Sequence, residues 1–207
     1  VGAAPATLVI ACGALAREIT ALTQANGWRA LEVRCLPATL HNRPERIAPA
    51  VRELIRLHRS RYRRIFVAYA DCGTAGELDR VLQEEEVERL PGAHCYEFFA
   101  TPQLFAQLCQ AEPGTFYLTD FLLRHFERLV VRALGLDRHP ELAAEYFRHY
   151  HKLVYLSQAP RAGAIEQARR IAESFGFAFE HRFTGYGQLG TSLAALAAGA
   201  QAEACPA

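Results

Sequence analysis

Three of the six cysteines close short apolar runs: Cys12 in TLVIACG, Cys72 in IFVAYADCG and Cys95 in GAHCYEFF. Cys12 and Cys72 are each followed by glycine and then by residues that start a helix. A thiol at a helix N-terminus ionises more readily, because the helix dipole and the free backbone N–H groups favour the anion. Glycine beside it lets the backbone approach a ligand closely. Metal ligation and nucleophilic attack both need a thiolate. Three thiolates with one position left open suit a zinc ion or a cubane iron–sulfur cluster with one non-cysteine iron, so Cys12, Cys72 and Cys95 are candidate metal ligands. His41 and His94 are candidates for a further ligand or for a base. Without a metal, Cys72 is the candidate nucleophile of a thiol enzyme, with either histidine as its base. Spacing leaves these readings open, because the sequence has no CxxC pair and a buried free cysteine also packs as a small hydrophobe. Cys35, Cys109 and Cys205 read as structural, with Cys109 on the apolar side of a helix.

Other motifs carry less. Gly185-x-Gly187-x-x-Gly190 has dinucleotide-loop spacing, but it follows the last expected strand, and no acidic residue lies about 20 positions on. It reads as a flexible turn, with Tyr186 placed to act as a lid over a pocket. Asp71 and Asp120 are candidate acids, Asp120 better explained as a helix cap. Tyr117 and Tyr155 end short strands and suit core positions with a tethered hydroxyl. His149 and His151 are two apart, which on a helix points them in different directions. No P-loop, GxSxG or HExxH motif is present.

The elements that must position these residues follow from periodicity. Strands are expected at residues 7–12, 28–36, 65–70, 152–157 and 177–183, with shorter extended pieces at 92–98 and 115–118. Helices are expected at 14–25, from 42 through His58, after Gly73 through Leu82, and at 102–109. Further helices are expected from 119 or 120 to 134, from 137 to 150, and at 162–175. Continuous apolar strands alternating with helices predict an α/β fold: a mainly parallel sheet with helices on both faces, three-layered and Rossmann-like. In such sheets ligands bind beyond the carboxyl ends of the strands, where the candidate cysteines and His41 fall. No linker or repeat divides the chain. A single α/β domain over 1–207 is expected, with 192–207 a helical or partly disordered tail.

A net charge of +1 over 207 residues gives no electrostatic footprint for nucleic acid or for a membrane surface. The basic run RLHRSRYRR at 56–64 fits a solvated helix end. No apolar run reaches the roughly 18 residues of a membrane span, and the apolar start has no basic n-region. The expected location is cytoplasmic, where thiols stay reduced.

The combination of IACGAL, LPATLHNRPE, YADCGT, the His-Cys of GAHCYEFF and PGTFYLTDFL resembles a bacterial and archaeal family, domain of unknown function 1638, over roughly residues 8–155. The family pattern has cysteine where this chain has Cys12, Cys72 and Cys95, and histidine at His41 and His94. Two departures stand out: Ala70-Asp71 replaces a frequent glycine-leucine, and His94-Cys95 replaces a frequent His-Asp-Cys. The resemblance implies no established reaction, but it places such proteins beside corrinoid-dependent one-carbon metabolism. The expected function is therefore a metalloprotein with a zinc ion or iron–sulfur cluster on three cysteines, acting in methyl-group metabolism. The alternatives are a metal-free thiol enzyme using Cys72 and a non-enzymatic accessory protein of a methyltransferase. A small-molecule substrate or a corrinoid or methyltransferase protein is the expected partner, and the apolar positions over 121–134 would also serve a homo-oligomer.

Overall fold

A computed structural model describes residues 7–204. Strand β1 (Thr7–Cys12) is buried at all six positions, as its unbroken apolar run requires of a central parallel strand. It pairs on one side with β2 (Leu31–Leu36) and on the other with β3 (Arg64–Ala68), which in turn pairs with the two-residue β4 (Glu88–Arg89). All these pairings are parallel, in the order β2-β1-β3-β4. The connections include α1 (Ala16–Ala25), α2 (Ile47–His58) and α3 (Glu77–Glu84). Helix α2 buries Ile47, Val51 and Ile55, a stripe at i, i+4, i+8, and α3 buries Leu78, Val81 and Leu82.

A second parallel sheet has the order β5-β6-β7, from β5 (Thr115–Thr119), β6 (Lys152–Ser157) and β7 (Ala178–Phe183). Its helices are α4 (Pro102–Ala111), α5 (Asp120–Phe126), α6 (Leu142–Tyr146) and α7 (Ala164–Ser174). Leu118, Leu153 and Tyr155 from the sheet pack with Leu123, Phe126 and Ala168 from helices, and Phe116, Phe147 and Phe175 pack against that core. The final helix is α8 (Gly187–Ala204).

The two parallel sheets are flanked by helices on both faces, the three-layer, Rossmann-like α/β class that the strand pattern predicts. The chain divides into two compact units, residues 1–98 with 188–207, and residues 99–187. The division leaves little trace in composition, because the crossing at Phe98–Phe99 lies inside a tight helical turn (Cys95–Phe99) rather than a glycine- or proline-rich linker. Residues 192–204 are helical within α8, and residues 205–207, with Cys205, lie outside the described residues. No helix among the described residues is long and apolar enough to cross a membrane.

Three local expectations change. The fourth strand is Glu88–Arg89, so Cys95 opens a 3₁₀ turn instead of closing a strand. The helix expected to reach residue 134 ends as α-helix at Phe126 and passes into a π-turn at Glu127–Val131, with His125 out of helical geometry at φ −116°. The helix expected over 137–150 is regular only at Leu142–Tyr146.

Candidate functional site

The carboxyl edge of the first sheet gathers four segments. Cys12 ends β1. The segment after β2 forms a 3₁₀ turn at Ala38–Asn42 that carries His41. The segment after β3 carries Tyr69, Asp71 and Cys72, and the segment after β4 carries His94 and Cys95. Gly13 lets the first two meet: a Cβ there would stand 2.8 Å from the Leu36 carbonyl oxygen and 3.0 Å from the Ala38 nitrogen, closer than real side chains approach.

The loop carrying Cys72 is held in an unusual backbone path. Cys72 and Ala75 are left-handed at φ 51° and 53°, a region that costs a non-glycine residue free energy. The Asp71 carboxylate offsets this by accepting hydrogen bonds from Thr74 Oγ1 at 2.6 Å, Gly76 N at 3.0 Å and Gly73 N at 3.2 Å. Burial works against the charge on Asp71, but these bonds win and hold its carboxyl below the usual range. The loop is also tied to the segment before Cys95: Cys72 N donates to Ala93 O at 2.8 Å and Asp71 N to Gly92 O at 3.1 Å. Arg89 pins that segment in turn, donating to Leu90 O at 2.7 Å and Gly92 O at 3.2 Å while its guanidinium grips the Asp79 carboxylate.

These constraints bring Cys72 Sγ to 3.0 Å from Cys95 Sγ. Cys95 is also a hydrogen-bond partner of Cys12, so it sits between the other two thiols. The three thiols divide their protons unequally. The Cys95 hydrogen bond, followed by the His41 imidazole as hydrogen-bond and charge partner, outweighs burial and lowers Cys72 to about 5. Cys12 is lowered by Cys95, by the Ala14 backbone N–H and by Tyr69, against burial and the charge on Cys72. Cys95 is pushed well above the ordinary thiol value, because it is hydrogen-bonded to Cys12 and to Cys72 and its sulfur is enclosed. His41 is raised by its bond to Cys72 despite desolvation, and its residue surface opens to solvent.

The expected three-cysteine metal centre is overturned. Among the described residues no group of three or more His, Cys, Asp or Glu is arranged to hold a metal ion. The physical reason lies in the sulfur spacing. Two thiolates on one tetrahedral zinc with bonds of about 2.3 Å stand about 3.8 Å apart, and around a cubane the separation is roughly 6 Å or more. The 3.0 Å contact instead makes the Cys72 and Cys95 sulfurs direct hydrogen-bond partners. Cys12, Cys72 and Cys95 are thus neighbours without being a zinc or iron–sulfur ligand set, and the metalloprotein reading in methyl-group metabolism falls with it. The expected cause of Cys72 ionisation also changes. Helix α3 begins only at Glu77, so the lowering comes from Cys95 and His41 and not from a helix N-terminus. Cys12 does precede helical backbone, the turn Gly13–Leu15 that leads into α1.

The remaining candidates are placed elsewhere. The His94 ring stacks on Tyr96, 4.9 Å between centroids, and its backbone N–H donates to Glu97. Cys35 is on the exposed β2 edge, and partial desolvation raises its thiol. Cys109 contacts the Tyr117 hydroxyl at 3.5 Å. Tyr186 lies half-buried in the turn before α8 and belongs to the second unit. Tyr69 was not among the sequence candidates. It is fully buried, its hydroxyl lacks a hydrogen-bond partner of normal geometry, and it faces Cys12, so burial and the nearby thiolate hold it protonated. Its place three residues before Cys72, at the same strand end, is the one sequence sign of it.

The comparisons with known proteins agree with the sequence resemblance. A family model described as protein of unknown function (DUF1638) matches residues 35–193, and the chain belongs to that family. The match includes His41, Cys72 and Cys95 and begins after Cys12. Among curated proteins and among solved structures, none matches the chain.

Proposed function

We propose that this member of the DUF1638 family is a thiol enzyme in which Cys72 is the attacking thiolate, Cys95 the resolving thiol and His41 the charge partner of Cys72. One observation carries the reading: the Cys72 and Cys95 sulfurs sit 3.0 Å apart on two segments laced together by backbone hydrogen bonds, with the Cys72 thiol lowered and the Cys95 thiol raised. Thiol–disulfide exchange needs this arrangement, since the rate rises with the thiolate fraction of the attacking sulfur and with the proximity of the second sulfur.

The substrate class is a small disulfide. The Cys72 thiolate attacks one substrate sulfur, forming a mixed disulfide as the substrate S–S bond breaks and the other half leaves as a thiolate. Cys95 then loses its proton and attacks the Cys72 sulfur, and the second half of the substrate leaves. The released thiolates take up that proton and one from solvent or His41. The two cysteines end as one disulfide, oxidised by two electrons, and the substrate ends as two thiols. The fully buried Tyr69 hydroxyl stays protonated beside Cys12 and steadies that thiolate without taking part.

The test is exchange with oxidised glutathione, followed by intact mass and peptide mapping. The native chain should gain one internal Cys72–Cys95 disulfide without retaining glutathione. The Cys95→Ser chain should retain one glutathione on Cys72. A stable glutathione adduct on Cys72 in the native chain, or no reaction there, contradicts the proposal.

A further inference from the structure

The second sheet has its own polar cluster at its carboxyl edge, within residues 99–187. Asp120, at the start of α5, is 3% exposed. Its Oδ1 accepts the Tyr155 hydroxyl at 2.6 Å, its Oδ2 accepts the Ala159 N–H at 3.0 Å, and its own N–H donates to Gln158 Oε1 at 2.9 Å. Tyr155 and Ser157 alternate along β6 and so share a sheet face. Across the parallel register Tyr155 stands opposite His181 of β7, with their rings 5.4 Å apart. The imidazole is thereby buttressed by a ring that a buried carboxylate fixes. Its Nε2 lies 2.8 Å from Ser157 Oγ. The backbone beyond is closed by Thr184 N donating to the Ser157 carbonyl at 3.0 Å. Burial lowers His181 and the Asp120 charge only partly opposes it, which favours the neutral ring, and the tautomer protonated on Nδ1 leaves Nε2 to accept from the serine. His181 is partly exposed and Ser157 is 5% exposed, so solvent reaches the pair from the histidine side.

We propose that Ser157 and His181 form a second catalytic site, in which a serine nucleophile and its histidine base hydrolyse small carboxylic esters. A hydroxyl within hydrogen-bond reach of a neutral imidazole, with that imidazole held by a third group, is the arrangement that activates serine. Ser157 Oγ attacks the ester carbonyl carbon while His181 Nε2 takes its proton. The bond to the leaving alcohol then breaks, and His181 returns the proton to the departing oxygen. Water, deprotonated by the same nitrogen, attacks the acyl-serine carbonyl. The carboxylic acid leaves and Ser157 regains its proton.

The test is labelling of the full chain with a fluorophosphonate probe, read by peptide mapping. The native chain should carry the adduct on Ser157, formed as fluoride leaves phosphorus. Ser157→Ala should abolish that adduct, and His181→Gln should slow labelling by roughly a hundredfold or more, the usual weight of a general base. No adduct on Ser157 in the native chain overturns the proposal, as does a labelling rate that His181→Gln leaves unchanged. Because the first reading is made on the native chain, a variant that fails to fold does not shield the proposal.

Discussion

Cys72 Sγ and Cys95 Sγ are 3.0 Å apart, one lowered toward the thiolate and the other held as the thiol. Their residues are 23 positions apart in sequence, and two backbone hydrogen bonds, Cys72 N to Ala93 O and Asp71 N to Gly92 O, lace the two segments together. The bond to Cys95 is the largest cause of the lowered Cys72 pKa, while Cys95 is raised first by its bond to Cys12 and then by its bond to Cys72.

His41 is the second support of the Cys72 thiolate. Replacing it with phenylalanine removes both a hydrogen bond and a charge, so the Cys72 ionisation midpoint should move up by about one pH unit or more, a tenfold loss of thiolate in the acidic range for each unit. His41→Lys keeps the charge and should recover part of the shift. Iodoacetamide alkylation rates at Cys72 against pH read both.

Asp71 holds the left-handed loop. Asp71→Ala strips acceptors from Thr74, Gly73 and Gly76 and leaves the strain at Cys72 and Ala75 without its clamp. Urea unfolding should show a loss of about 1–3 kcal/mol. Asp71→Asn keeps one acceptor oxygen and should lose less. Alanine and asparagine variants of equal stability to the native chain would remove Asp71 from this role.

Gly13 is a packing requirement between the β1 and β2 ends. Gly13→Ala drives a methyl group against backbone atoms of Leu36 and Ala38, which have no side-chain freedom to yield. Overpacking of this kind costs about 1–3 kcal/mol. The same change should disturb the neighbouring Cys12 more than Cys72, and thiol alkylation resolved by residue separates the two.

The longer strands and the class of fold were legible in the sequence because buried parallel strands are continuous apolar runs. Thr7–Cys12 and Lys152–Ser157 match their expected bounds for that reason. The convergence of Cys12, Cys72 and Cys95 was legible too, as three sulfurs expected at one sheet edge. Their protonation was not. It depends on a 3.0 Å contact set by the φ of Cys72 and by bonds to Ala93 and Gly92, none of which leaves a residue pattern. The Ser157–His181 pair escaped for a similar reason: the register of β6 on β7 decides it, and register is a tertiary fact. The split into two sheets was hidden because the segment between them folds as a helical turn with aromatic residues and lacks the composition of a linker.

The most direct measurement is the pH dependence of alkylation at each cysteine, followed by mass spectrometry on the native reduced chain. A lowered ionisation leaves Cys72 as thiolate above its midpoint and protonates it only below. Its rate should therefore rise through a midpoint at about 5 and be flat by about pH 7. Cys95, held as the thiol, should stay unreactive past the ordinary thiol value of 9.0. Cys72 and Cys95 both titrating near 9.0 would contradict the thiolate–thiol pair and, with it, the proposed reaction.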